Sequence, residues 1–145
     1  MGNRAVITAS KLRTKGIGIY LHWNGSLPTV LAFLDTAKLL GYRSPSSDES
    51  YGMARLCGLI CAFLGIDNER GIGIGELSRL DCNNYDNGVY VIGNDWEIID
   101  RWGEGSTNES IDDARKSEQY IETMDYIKSK LVDWNISSDV WNPSK

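Results

Sequence analysis

Residues 3–25 read NRAVITASKLRTKGIGIYLHWNG. Within them, 3–9 is rich in β-branched residues and 16–23 alternates apolar and small positions, both strand signatures. The intervening SKLRTK carries the charges of a solvent-exposed connection, so the two runs form a hairpin. Further along, Asn24-Gly25 ends the second strand, and Ser26 with Pro28 has the chemistry of a helix start. Leu27, Val30, Leu31, Leu34 and Ala37 recur at helical spacing as far as Leu40, and Gly41 suits a left-handed cap. After the polar YRSPSS, Ser46 and Glu49 stand at capping-box spacing. They precede a second apolar stripe of Met53, Leu56, Cys57, Ile60 and Leu64, closed by Gly65. Cys57 and Cys61 lie one turn apart on it and read as core.

From 66 to 88 the asparagines, aspartates and glycines exclude a stable helix, and Ile72, Ile74 and Leu77 mark one short strand. Residues 89–92 and 95–102 form a second hairpin around the turn Gly93-Asn94. The polar GEGSTNES follows, and then one long helix over 111–135 with Tyr120, Met124, Ile127, Leu131 and Trp134 on one face. The order β-β-α-α-β-β-β-α comes in blocks. That predicts an α+β fold with a mainly antiparallel sheet, two central helices and a long C-terminal helix. Residues 1–145 form a single domain, whose last ten residues, 136–145, are expected to be a loose tail unless Trp141 packs.

The chain has 145 residues, 15 Lys and Arg, 20 Asp and Glu, one His and three Cys. No apolar run reaches the roughly 20 residues of a membrane span. The first ten residues lack the apolar core of a secretory signal. The odd cysteine count suits reduced thiols, so a cytoplasmic protein is expected. A single histidine excludes a His-rich metal site or a di-histidine pair within one chain. Charge is unevenly placed: residues 104–139 carry nine acids and four bases, whereas 1–55 carry seven bases and three acids. The basic half suits a small phosphorylated ligand. It lacks the strongly basic stripe that extended nucleic acid requires.

Two stretches attract ligand readings. HWNG at 22–25 places His22, Trp23 and Asn24 just before a helix N-terminus, where an indole can stack on a base and backbone amides can meet an anion. GIGIG at 71–75 lacks both the dinucleotide spacing with its following helix and the Gly-Lys-Ser/Thr ending of a phosphate loop. It reads as a glycine-rich strand or oligomer contact. The acidic run at 81–88 has calcium-ligand residue types without the spacing or terminal glutamate of such a loop. Asp95, Glu97 and Asp100 read as strand-surface charges, and no Gly-x-Ser-x-Gly elbow occurs.

NRAVIT at 3–8, IGIYLHWNG at 17–25, YGMARL at 51–56 and DNGVYVIGNDWEI at 86–98 together resemble small proteins encoded by phages and integrated elements. In size and element pattern the chain is also similar to phage anti-defence proteins that sequester nucleotide signals. The Thoeris anti-defence proteins, which cage cyclic ADP-ribose isomers, are an example. The resemblance implies a non-catalytic protein that binds a cyclic ADP-ribose isomer or cyclic oligonucleotide and needs no cofactor, and the five tryptophans suit a homo-oligomer, since aromatics are enriched in interface cores. The resemblance transfers no ligand-contacting residues.

From the residues, the expected site is Trp23 with Tyr51, Tyr90 or Trp96 sandwiching a base, while Arg4, Arg43, Arg55 or Arg101 hold phosphates. A different class, a protein–protein inhibitor, would use the acidic C-terminal helix through Glu118, Glu122 and Asp125. A third, a small hydrolase or transferase, would draw on Asp95, Glu97 or Cys82.

Overall fold

A computed structural model describes residues 2–66 and 70–133. Five strands form one sheet: β1 (Ala5–Thr8), β2 (Ile17–Leu21), β3 (Ile72–Glu76), β4 (Val89–Ile92) and β5 (Ile98–Trp102). Their order across the sheet is β3-β2-β1-β4-β5. All neighbours are antiparallel except β1 and β4, which run parallel with Ile7 opposite Tyr90. The helices are α1 (Leu27–Leu39), α2 (Glu49–Leu64), α3 (Ile111–Lys116) and α4 (Glu118–Asp133). This is the mixed α+β fold that the block order of elements predicts.

Alternation along the central strands divides the core in two. Ala5 and Ile7 of β1 join Ile19, Leu21, Tyr90 and Ile92 under the helices, whereas Val6, Val89 and Val91 face the other way. There Leu77, Leu80, Cys82 and Trp102 cover them, so the polar segment after β3 closes the second face. Its tight path is held by Asn84, whose side chain is fully buried. The Asn84 carbonyl accepts from the amides of Asp86, Asn87 and Gly88, and its amide donates to the carbonyls of Asp81 and Gly88.

α1 has Pro28 in its first turn, with Ser26 as the N-cap residue, and Gly41 lies just beyond its end with φ +77. Its buried residues run nearly all round, from Leu27 through Phe33 to Ala37, because the sheet covers one side and α2, α3 and α4 the others. α2 is capped by Asp48, whose carboxylate accepts from the Tyr51 amide, and not by the Ser46–Glu49 box. Ser46 is engaged elsewhere, donating to Asn94. The α2 stripe buries Met53, Leu56, Ile60 and Leu64, but Cys57 is only half-buried and Cys61 is exposed. The apolar face is therefore narrower than the sequence stripe implied.

Two further expectations change. The 111–135 helix is two helices, broken at Ser117, whose extended backbone (ψ 151) ends α3. The Ser117 hydroxyl donates to the Ala114 carbonyl and accepts from the Tyr120 amide, so one side chain closes the first helix and opens the second. Likewise β5 begins at Ile98 and not at Asp95, because residues 94–96 form a 3₁₀ turn with Asp95 and Trp96 at φ 56 and 64. That turn carries Trp96 into the core, where its indole N–H donates to the Tyr42 carbonyl at 2.9 Å. Burying an indole with its donor satisfied outweighs a simple two-residue turn. Leu77 starts a 3₁₀ turn after β3 and is not part of that strand. Trp134, Trp141 and the expected tail at 136–145 lie outside the described residues.

Candidate functional site

The ten residues singled out from sequence fall into three places. Tyr90 belongs to the interior, and Arg101 packs over it from the edge of the sheet. Tyr90 is fully buried and donates to the Gly25 carbonyl at 2.7 Å, and burial pushes its phenol well above the ordinary range. The Arg101 guanidinium lies 4.2 Å from the Tyr90 ring centroid and donates to the Asn87 carbonyl. The Tyr90 ring is not presented to a ligand, and the guanidinium, at the edge of a small cleft, is engaged by Asn87, Thr107 and Glu109.

At the N-terminal end of α1, His22, Trp23 and Asn24 do come together. Trp23 is 39% exposed, with the His22 ring edge-on at 5.4 Å. Asn24 is held at φ 66, and His22 Nδ1 lies 3.0 Å from the Tyr20 hydroxyl. An open groove of about 790 Å³ runs past Trp23, Phe63, Tyr126 and Arg70. Arg4 lies nearby in space, next to Asn3 whose amide donates to the His22 carbonyl, but is committed to the acidic loop. It donates to Asp86 at 2.7 Å and approaches Asp81 at 3.6 Å, and that bond to Arg4 holds the Asp86 carboxyl below its usual range. The run with calcium-ligand residue types thus already has a cation, the guanidinium of Arg4. Among the described residues, no group of three or more His, Cys, Asp or Glu is placed to hold a metal ion.

At the opposite end of α1, the remaining aromatic and basic residues form a continuous stack. Arg43 lies 4.2 Å over the Tyr51 ring, and Arg55 lies 5.5 Å from both Tyr51 and Tyr42. Tyr51 and Arg55 are four residues apart on α2 and so share a face. Tyr42 and Arg43 reach them because Gly41 turns the chain out of α1. Beside the stack is a cleft of about 500 Å³ lined by Lys38, Tyr42, Arg43, Ser44, Ser47, Asn94 and Trp96, among others. Its loop is braced: the Ser44 and Ser46 hydroxyls lie 2.9 Å apart, Ser46 donates to Asn94, and Ser47 donates to the Ser44 carbonyl. Trp96 is a buried prop here and not a stacking surface. The two left-handed residues, Asp95 and Trp96, cost roughly 1–3 kcal/mol each and set this wall.

The electrostatics favour an anion. Lys38, Arg43 and Arg55 are all exposed. Of the three, only Arg43 is in an ion pair among the described residues, with Asp48 at 3.6 Å, and both partners are well solvated, whereas Asp95 shares the cleft wall with Lys38. Exposed pairs of this kind contribute little and exchange readily for a better anion. A guanidinium already stacked on a ring is also pre-oriented for bidentate phosphate contact.

Trp23 and Arg43 do not meet. They are separated by the 13 residues of α1, about 20 Å at 1.5 Å per residue. Sequence reasoning missed Lys38, Tyr42, Ser44, Ser47 and Asn94. The spacing of Tyr51 and Arg55 was a signal for their shared face, but nothing local joins Tyr42 to α2 or Asn94 to Ser46.

Of the residues considered for catalysis, Cys82 is engaged, whereas Asp95 and Glu97 line one groove; Cys57, read as core, is also protonated. Cys57 is pushed up to about 11 by burial and by Cys61, which keeps it a thiol. Cys82 is raised by burial and by Asp81, and its thiol lies 3.6 Å from the Leu77 carbonyl. Asp95 and Glu97 line a groove of about 870 Å³ whose polar floor is internally satisfied. There Asp35 accepts from Arg115 at 2.9 and 2.8 Å and from the Tyr120 hydroxyl at 2.5 Å. No helix among the described residues is long and apolar enough to cross a membrane. Comparison of the chain with protein-family patterns, curated proteins and solved structures finds no match.

Proposed function

We propose that the chain is a non-catalytic binding protein that sequesters a small nucleotide-derived signal at the Arg43–Tyr51–Arg55–Tyr42 stack. The observation that supports this most is the stack itself, two exposed guanidiniums interleaved with two aromatic rings beside a braced cleft that Lys38 also lines. Lys38, Arg43 and Arg55 take the phosphates, and the guanidinium and phenol faces take a base. The resemblance to phage anti-defence proteins supplies the role and the ligand class, a cyclic ADP-ribose isomer or a cyclic oligonucleotide in the host cytoplasm.

The test is native mass spectrometry of the purified chain against such a panel, followed by heat release of whatever binds. An intact nucleotide recovered chemically unchanged is expected. Arg43→Ala with Arg55→Ala should weaken binding at least about tenfold, whereas Trp23→Ala should leave it in place. Loss confined to Trp23→Ala would move the site to the other end of α1, and turnover of the nucleotide would make the chain an enzyme.

A second reading rests on α4. Glu118, Glu122 and Asp125 are exposed there beside Ile121 and Val132, at 51% and 64% exposure, a mixed acidic and apolar surface suited to a protein partner. Charge reversal at Glu118, Glu122 and Asp125 would abolish capture of that partner and leave nucleotide binding untouched.

A further inference from the structure

The sheet ends on one side at β3, and among the described residues nothing pairs with its outer edge. Natural edge strands are usually blunted by lysine, proline, a bulge or a covering loop. Residues 71–75 are GIGIG and carry no charge and no proline. The hydrogen bonds to β2 fix which backbone groups face outward. The His22 amide donates to the Gly71 carbonyl, and the Leu77 amide donates to the Gly16 carbonyl. Odd-numbered residues of β3 therefore face β2, and the amides and carbonyls of Ile72, Ile74 and Glu76 point to the open edge.

We infer that this edge pairs with β3 of a second copy, antiparallel about a two-fold axis at Gly73, to give one continuous ten-stranded sheet. The register follows from charge. With Gly73 opposite Gly73, Ile72 of each copy lies opposite Ile74 of the other, and Arg70 lies opposite Glu76. The residues opposed in this way are the ones whose backbone groups point outward, so they form the hydrogen-bonded pairs. The glycine pair at the axis falls at a narrow, non-hydrogen-bonded position. Arg70 makes no ion pair among the described residues.

One face of the seam gains a stripe of four isoleucines closed at both ends by Arg–Glu pairs. Ile72 already packs against the main core, and Ile74, 57% exposed, extends that surface outward. On the other face the seam is glycine, which offers no obstacle to approach. Such an interface is self-complementary and closes at a dimer. It explains the glycine-rich run without a nucleotide, and it does not depend on the nucleotide reading.

Sedimentation velocity of the full chain over a range of concentrations tests this, with amide hydrogen exchange alongside. The expected result is a dimer in which the Ile72 and Ile74 amides are protected. Ile74→Lys should give a folded monomer, in which those two amides exchange fast while Gly73 and Gly75 stay protected. Arg70→Glu should raise the dimer dissociation constant about tenfold by placing like charges at both ends, and adding Glu76→Arg should restore it. These charge variants keep the inference testable if Ile74→Lys fails to fold. A wild-type chain that stays monomeric overturns it, including the case in which the edge takes a strand from a different protein. So does a dimer indifferent to Ile74→Lys and to the charge exchange.

Discussion

Three single residues carry disproportionate structural weight. Asn84 supplies five hydrogen bonds from a fully buried side chain, so Asn84→Ala strands three backbone amides, those of Asn87 and Gly88 in buried positions. A loss of about 2–4 kcal/mol is expected in urea denaturation, large for one side chain. Gly52 works by absence: a Cβ there would sit 2.5 Å from the Pro45 nitrogen and 2.7 Å from its Cα. Gly52→Ala should cost about 1–3 kcal/mol and push the Ser44–Ser47 loop off α2, so nucleotide affinity should fall with stability. Asp86 predicts a pH dependence. Its carboxyl is depressed in the folded chain by Arg4, so its stabilisation is complete above the unfolded pKa near 4 and is lost as pH falls through the lower folded value. Denaturation midpoints measured from pH 7 down to pH 2 should drop in the acid range, and Asp86→Asn should flatten that part of the curve.

Among the elements, the break at Ser117 is the informative departure from the sequence pattern. Apolar residues recur at helical spacing on both sides of 115–119, and no glycine or proline marks a boundary. What stops the helix is a serine hydroxyl that can serve as cap, together with tertiary partners that reward the bend. Arg115 on α3 and Tyr120 on α4 both converge on Asp35 of α1, Arg115 through two bonds. Ser117→Ala removes the cap and should cost about 1 kcal/mol in thermal or urea unfolding. An unchanged stability would mean that the Asp35 cluster alone sets the bend. A similar competition shaped the 94–96 turn, where local turn chemistry yielded to the burial of Trp96.

For the whole molecule, the stack and the β3 edge use no residue in common. Ile74→Lys should therefore leave nucleotide affinity within about twofold of the wild-type chain by calorimetric titration. A larger change would couple the two.

The sequence by itself determined the strands of the first hairpin, the ends of α1 at Pro28 and Gly41, the closure of α2 at Gly65, and the division of the chain into blocks. These depend on periodicity and on backbone restrictions of particular residues, which act over a few positions. It also marked Trp23, Arg43, Tyr51 and Arg55 as aromatic and basic residues available for a ligand. Only the tertiary structure decided that Tyr90 and Trp96 are core and that Arg4 is held by Asp81 and Asp86. Those outcomes come from contacts between residues more than 50 positions apart, as between Trp96 and Tyr42 or Arg4 and Asp86. Burial and pairing across such separations are settled by how the layers pack, and the local pattern carries no record of that.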